Sequence, residues 1–472
     1  MKSNKILNFS NTRILKNNSN KINSFTNIRD QHFIQPTLKT FSTFFKIFKY
    51  TSYFSLALLV TSLTSYELFN QYIENFKLTT PSTYSHIPND DKDEWSIDND
   101  DWSGGLNGGT NKEFPTKANH LIRSTYIALN YGVGNLNANV NNPNLTYAKN
   151  YLIKALNLIE NDDRINDKSS KLIPLNLLLA DIYQRLNTTA SLNESLNIYE
   201  SVYNDLRDTN FINKAALMKL SNKAGNVCKS LKLFNQSERW FKNTINFVIN
   251  NDNIDKNTNN TWLNYFFKTK SSYIYSLNKV NANQLSPSQF RYYISTLLNL
   301  SELHSLNKNY KEAIKIQNYL ISTLNNSTQP VSSLHSCWIL NSLALSKIHL
   351  AEVKYANDKS NVDECLGWLQ SSQFNSQNAI EELKSLDVDK YQSYQSIIIN
   401  LKSKNALIEA SYLMGLLHEF NYNHSLSNTC FKRCLTTLLD KDEISKDDIN
   451  ELNKTNLNRK YTEHYINSLK YL

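Results

Sequence analysis

Gly225 and Ser237 lie twelve residues apart, and the same interval separates Ser301 from Ala313 and Gly415 from Ser427. In the first and third copies a large residue follows four positions on (Phe241, Phe431), and a small one three after that (Thr244, Cys434). Small residues at this spacing let two antiparallel helices cross closely. Each helix pair then buries its apolar face against the next pair, so the chain is restricted to a stack. The rest of the sequence agrees. Only 9 Gly and 8 Pro occur in 472 residues, leaving few points at which helices must stop. The abundant Asn lowers helix propensity without forbidding helices.

The spacing resembles the tetratricopeptide motif. The run Asn309-Tyr-Lys-Glu-Ala313 matches its inter-helix turn. Looser copies join Ala128 and Tyr131 to Ala148, Leu152 and Ala155, and Ala180 and Tyr183 to Ser195, Tyr199 and Val202. A last copy runs from SLHSCWILNSLALSKIHLAE to DECLGWLQSSQ. Six copies in register predict an α-solenoid of degenerate helix pairs over 116–472. The segment 258–280 reads as an extra helix outside the period. Of the five cysteines only Cys430 and Cys434 are close in sequence, four apart and on one helix face. They read as small packing residues rather than a disulfide or metal pair.

Ahead of the repeats lies an uncharged stretch, Tyr50 to Tyr66 (YTSYFSLALLVTSLTSY). As a helix it spans roughly 25 Å, against a hydrocarbon core of about 30 Å. Phe44, Phe45, Ile47 and Phe48 extend it, with Lys46 and Lys49 able to snorkel. The expectation is a single transmembrane helix at 50–66. The competing readings are a buried amphipathic helix and the core of a cleaved signal. The leader, 1–49, holds nine Lys or Arg against one acid, Asp30. It is rich in Ser, Thr and Asn, as a mitochondrial presequence is. The positive-inside rule leaves it on the matrix side, with the following residues in the intermembrane space. A signal-anchor protein of the endoplasmic reticulum would share that orientation. The leader carries nearly all of the formal +9, so the remainder is close to neutral and no nucleic-acid groove is implied.

The stretch 67–115 reads as a tether, with an acidic strip, DDKDEWSIDNDDWSGGLNGG, beyond Pro81 and Pro88. Acids with Gly suggest a solvated linker. Two tryptophans in such a run suggest anchorage, to a partner or to the chain's own first helices; the second is the preferred reading for Trp95 and Trp102. Tyr126 and Tyr183, on first helices, are further candidates for partner contact, although both also fit the repeat core. No HExxH, Gly-rich phosphate loop, GxSxG or CxxC occurs, so no catalytic residue, cofactor or metal site is expected.

A basic leader, one span, the strip EWSIDNDDWSGG, then HLIRSTYIALNYG and degenerate repeats resemble the fungal tetratricopeptide adaptor of the mitochondrial inner-membrane i-AAA protease. The resemblance implies a non-enzymatic, single-pass inner-membrane protein with its C-terminal domain in the intermembrane space. It implies work beside a second membrane adaptor, binding unfolded or misassembled membrane proteins and delivering them to the protease. The alternative is a tetratricopeptide import or assembly factor of a mitochondrial membrane.

Overall fold

The structure is a computed structural model that describes residues 28–78, 95, 109–131, 143–208, 214–249, 282–327, 332–386, 394–441 and 459–469. Among these residues it is all-helical, with fourteen α-helices and no strand. The chain divides into two compact units, Met1–Ile73 and Glu74–Leu472. The extra helix expected at 258–280 and Trp102 lie outside the described residues.

The first unit contains one long helix, α1 (Ile28–Tyr72). It runs well past both ends of the expected span. No described helix, α1 included, is long and apolar enough to cross a membrane, so the single transmembrane helix at 50–66 is not supported. The reason is compositional: Thr51, Ser52, Ser55, Thr61, Ser62, Thr64 and Ser65 dilute the apolar residues. The helix absorbs most of these hydroxyls itself. Thr51 donates to the Ile47 carbonyl (2.6 Å), Ser52 to Phe48 (2.8 Å), Thr61 to Ala57 (2.9 Å) and Thr64 to Val60 (2.9 Å). Its apolar side chains from Phe44 to Leu68 are exposed.

The second unit is built from helix pairs. These are α2 (Thr116–Tyr131) with α3 (Pro143–Glu160), α4 (Lys168–Leu186) with α5 (Thr189–Asp208), and α6 (Lys214–Ser230) with α7 (Phe234–Ile249). Then come α8 (Pro287–Leu306) with α9 (Tyr310–Asn325), α10 (Ser333–Asn357) with α11 (Val362–Lys384), and α12 (Tyr394–Phe420) with α13 (His424–Leu439). The short α14 (Arg459–Leu469) packs on α13. Each helix packs mainly on its chain neighbours, and first helices also pack on one another: α6 with α8, α8 with α10, α10 with α12. This is the expected stack.

The small residues sit where the helices cross. A methyl group added to Gly225 would lie 2.5 Å from Cε1 of Phe241, and one added to Gly415 would lie 2.5 Å from Cε1 of Phe431. Only a missing Cβ admits the ring. The second small residue ties the pair by a hydrogen bond: Ser237 Oγ donates to the Gly225 carbonyl (2.8 Å) and Ser195 Oγ to Ala180 (2.9 Å). In the third case the direction reverses, and Ser301 Oγ donates to the Ala313 carbonyl (3.2 Å). In α10/α11 Cys365 Sγ meets the Ala351 carbonyl at 3.4 Å, with an interval of fourteen because the inter-helix turn comes one residue later and its loop is one residue longer than in α6/α7. Tyr199, Val202, Phe241, Phe431 and Cys434 are buried, as the repeat pattern requires.

The second unit begins at Glu74, which is held hard. Its Oε1 accepts from the Thr110 amide (2.7 Å) and hydroxyl (2.9 Å), and its Oε2 pairs with Arg123 (3.0 Å). Gly109, at φ 75°, donates its amide to the Leu78 carbonyl, and a Cβ there would meet Glu74 Oε1 at 2.7 Å. Arg123 of the HLIRSTYIALNYG run therefore fastens both legs of the tether to α2.

Candidate functional site: the first-helix layer and a tryptophan slot

The residue after each small residue of a first helix stands on the layer formed by the first helices. In the second to fifth pairs these positions are the polar residues Asp181, Asn226, Glu302 and Glu352, and in the first and sixth they are Leu129 and Leu416. Polar bonds stitch this layer across helices. Asp181 on α4 pairs with Lys223 on α6 (2.8 Å) and also accepts from the buried Tyr199 hydroxyl on α5. Lys229 on α6 pairs with Glu302 on α8 (2.7 Å), and Asn299 donates to Asn222 (2.9 Å). Farther along, Glu352 is exposed yet its acid is pushed up to about 7, first by desolvation and then by the charges of Glu409 and Glu302. His349 on α10 is held below the usual imidazole range by burial.

Apolar residues mark one edge of this layer. Tyr131, Leu306 and Phe420 are each the last residue of a first helix, and they are 47%, 54% and 66% exposed. They lie at one register in the first, fourth and sixth pairs; the matching ends in the other pairs are half-buried Leu186 and the polar Ser230 and Asn357. Of the sequence candidates, Tyr126 is half-buried on α2 with its ring 6.3 Å from that of Tyr131, so it adjoins this edge. Tyr183 is half-buried against the core of the first two pairs.

Trp95 does not tuck onto the first helices of the unit, as the preferred reading had it. It joins a cluster more than two hundred residues downstream, with Leu334, Cys337 and Trp338 of α10, Leu383 and Leu386 at the end of α11, and Ile399 of α12. The physical reason is charge and shape. The guanidinium of Arg291, on the first turn of α8, lies 3.7 Å from the centre of the indole face. Arg291 is only 3% exposed, so the stack operates with little water, where a cation–π contact is worth about 2 kcal/mol. Arg291 Nη1 is also 3.1 Å from Nδ1 of His335, which is fully buried in the first turn of α10. Burial first, and then the Arg291 charge, pushes His335 down to about 3. The imidazole is therefore neutral and can accept the guanidinium proton. His335 in turn stacks on Trp338 (5.4 Å, 22°), and Phe290 meets Trp338 edge-on (6.2 Å, 70°).

Helix starts position this slot. Ser286 caps α8 in a reciprocal box with Gln289, ahead of Pro287, which fixes Phe290 and Arg291 one turn in. Ser332 caps α10 by accepting from the His335 amide (3.2 Å). Sequence reasoning did not single out Arg291, His335 or Trp338; the serine caps 286 and 332 were the available signal.

No group of three or more His, Cys, Asp or Glu side chains among the described residues could hold a metal ion. The cysteines are free. Burial pushes the thiols of Cys228, Cys337 and Cys434 up to about 12 and that of Cys430 to about 11. In the native protein at pH 8, iodoacetamide is expected to label these four far more slowly than in denaturant, read by mass spectrometry; equal rates would contradict their burial.

No protein-family model matches this chain, and no curated protein sequence matches it.

Proposed function

We propose that this protein is a non-enzymatic adaptor that binds unfolded or misassembled membrane proteins and promotes their delivery to the mitochondrial i-AAA protease. In this reading it acts beside a second membrane adaptor at the inner membrane, with the helical unit in the intermembrane space. The basic, acid-poor leader supports the address. The attachment element is α1, whose apolar side chains are exposed and whose hydroxyls bond to its own backbone.

The observation that carries the reading is the edge formed by Tyr131, Leu306 and Phe420. Unfolded segments offer apolar side chains and backbone, and exposed apolar residues at one helix-end register in the first, fourth and sixth pairs offer spaced points of contact to an extended chain. Being terminal in their helices, these residues contribute little to the core, so they are separable from folding.

The test uses the full chain. It should bind a permanently unfolded model protein at least tenfold more tightly than the folded form. Leu306→Ser with Phe420→Ser should remove most of that preference while leaving the melting temperature within about two degrees. The chain should also co-purify from mitochondria with an ATP-dependent membrane protease. Equal affinity for both forms and no protease in the pull-down would favour the import or assembly role.

A further inference from the structure

One seam between α10 and α11 carries a ladder of side-chain contacts. Lys354 pairs with Glu364, Lys347 Nζ donates to Ser371 Oγ (2.7 Å), and Glu382 meets Ser336 Oγ (3.4 Å) and Cys337 Sγ (3.8 Å). The middle rung holds a cation without an acid. Lys347 is only 9% exposed, yet among the described residues no carboxylate pairs with it. Burial alone holds its ammonium below the usual lysine range, with no acid close enough to oppose that effect. Of its three protons one goes to Ser371, and the other two have no acceptor among the described residues. Asn375 stands one turn further along the same face of α11, about 6 Å of helix rise from Ser371. It is 7% exposed, and its buried Nδ2 has no partner among the described residues. The Ser371 hydroxyl accepts from the ammonium and keeps its own proton to donate. Ser371 and Trp368 are half-buried, so this rung reaches the surface.

We propose that Lys347, Ser371 and Asn375 form a binding site for a carboxylate on the α10/α11 seam. The three side chains supply donors along one turn of α11, with one positive charge among them. An ammonium withdrawn from water is costly until an anion meets it. A carboxylate matches both needs. One oxygen accepts from Lys347 and the other from Asn375 or Ser371, each at about 2.8 Å, as charge-assisted bonds are. A neutral carbonyl would satisfy the protons but leave the charge, and a doubly charged phosphate would bring more charge than one cation offsets. The acids of the seam do not oppose an anion here: Glu364 is paired with Lys354, and Glu382 lies about 16 Å of helix rise from Ser371. The carboxylate is that of a free small acid or of a peptide chain end.

The test titrates the full chain with sodium acetate, and separately with acetyl-glycyl-glycine, against sodium chloride at equal ionic strength. The melting temperature should rise saturably, by about two degrees, with at least one of the two carboxylates and not with chloride. Lys347→Met keeps the apolar stem, removes the charge and should abolish the response. Asn375→Leu should weaken the half-saturating concentration at least threefold. Lys354→Met, which removes a cation already paired, should respond as the wild type does. A response to acetate alone assigns the site to free small acids, and an equal or stronger response to the peptide assigns it to chain ends. No carboxylate response beyond that of chloride overturns the site, and so does an undiminished response in Lys347→Met. If that variant does not fold, the wild type decides. Acetylation of Lys347 by N-hydroxysuccinimidyl acetate, read by mass spectrometry against Lys354, should slow roughly fivefold with carboxylate at four times its half-saturating concentration. Equal rates with and without carboxylate overturn the proposal.

Discussion

Replacing Gly225 with leucine is expected to lower the stability of the helical unit by about 1–3 kcal/mol, the usual cost of overpacking. The position has no room even for a methyl group, since the Phe241 ring would stand 2.5 Å from the new Cβ. That ring is fully buried and surrounded by Ile245, Met218 and Leu300, so it has nowhere to move. The built-in control is Gly367, inside α11, where an added Cβ meets nothing within 4 Å. There Gly→Ala should stabilise by about 0.5–1 kcal/mol, because alanine loses less backbone freedom in a helix. Urea denaturation of the three proteins measures both. A wild-type midpoint in Gly225→Leu would show that the crossing is not where the structure has it.

Acid is expected to weaken the protein below pH 6.5, through His335. This imidazole is neutral in the fold down to about pH 3, whereas in the unfolded chain it protonates near 6.5. Between those values the unfolded state binds more protons, so stability falls as pH falls. The single group accounts for about 4 kcal/mol by pH 3.5 at 1.36 kcal/mol per pH unit. Three other histidines held low by burial, His304, His349 and His418, act in the same direction. Glu352 opposes them: its folded value, about 7, lies above its unfolded one, so its contribution is present below pH 4.5 and lost as pH rises through 7. The His335→Gln variant isolates the contribution of this imidazole. From pH 6.5 to 4.5 the wild type should lose roughly 3 kcal/mol more than the variant, measured by denaturant midpoints. Parallel curves would mean that His335 is charged in the fold.

Much of the helical unit was legible because close helix crossings demand small residues, and small residues at a fixed interval can be read directly. Gly225, Ser237, Gly415 and Ser427 stand where that logic puts them. The α10/α11 crossing was harder: Ala351 and Cys365 are fourteen apart, since a later and longer inter-helix turn shifts the interval while preserving the contact. For α1, the uncharged window drew attention to 50–66, but helix formation depends on backbone bonding and continues through polar flanks to Tyr72. The destination of Trp95 was not legible at all. Its partners, Arg291 and His335, carry no periodic signal and are joined only by the fold. The apolar edge of Tyr131, Leu306 and Phe420 becomes visible only after helix ends are known.

A stack whose members touch only their neighbours melts like a zipper, with end repeats fraying independently of the middle. The Glu74–Thr110 clasp and the seating of Trp95 remove that freedom here. The chain leaves the Glu74 clasp at Leu78, is seated among the fourth to sixth pairs at Trp95, and is back at the clasp at Gly109, fourteen residues later. A fully extended leash of that length reaches no farther than about 50 Å. Fraying of α2 and α3 must therefore either stay within that leash or pull the indole off Arg291. Thermodynamically, the N-terminal repeats inherit a share of the stability of the middle ones, and the array unfolds as fewer, larger cooperative blocks than its repeat number implies. Kinetically, one contact spanning nearly two hundred residues adds a late, high-contact-order step to a fold otherwise assembled from local contacts. Hydrogen exchange in α2 and α3 should accordingly respond to a substitution at Trp95 that neither helix touches.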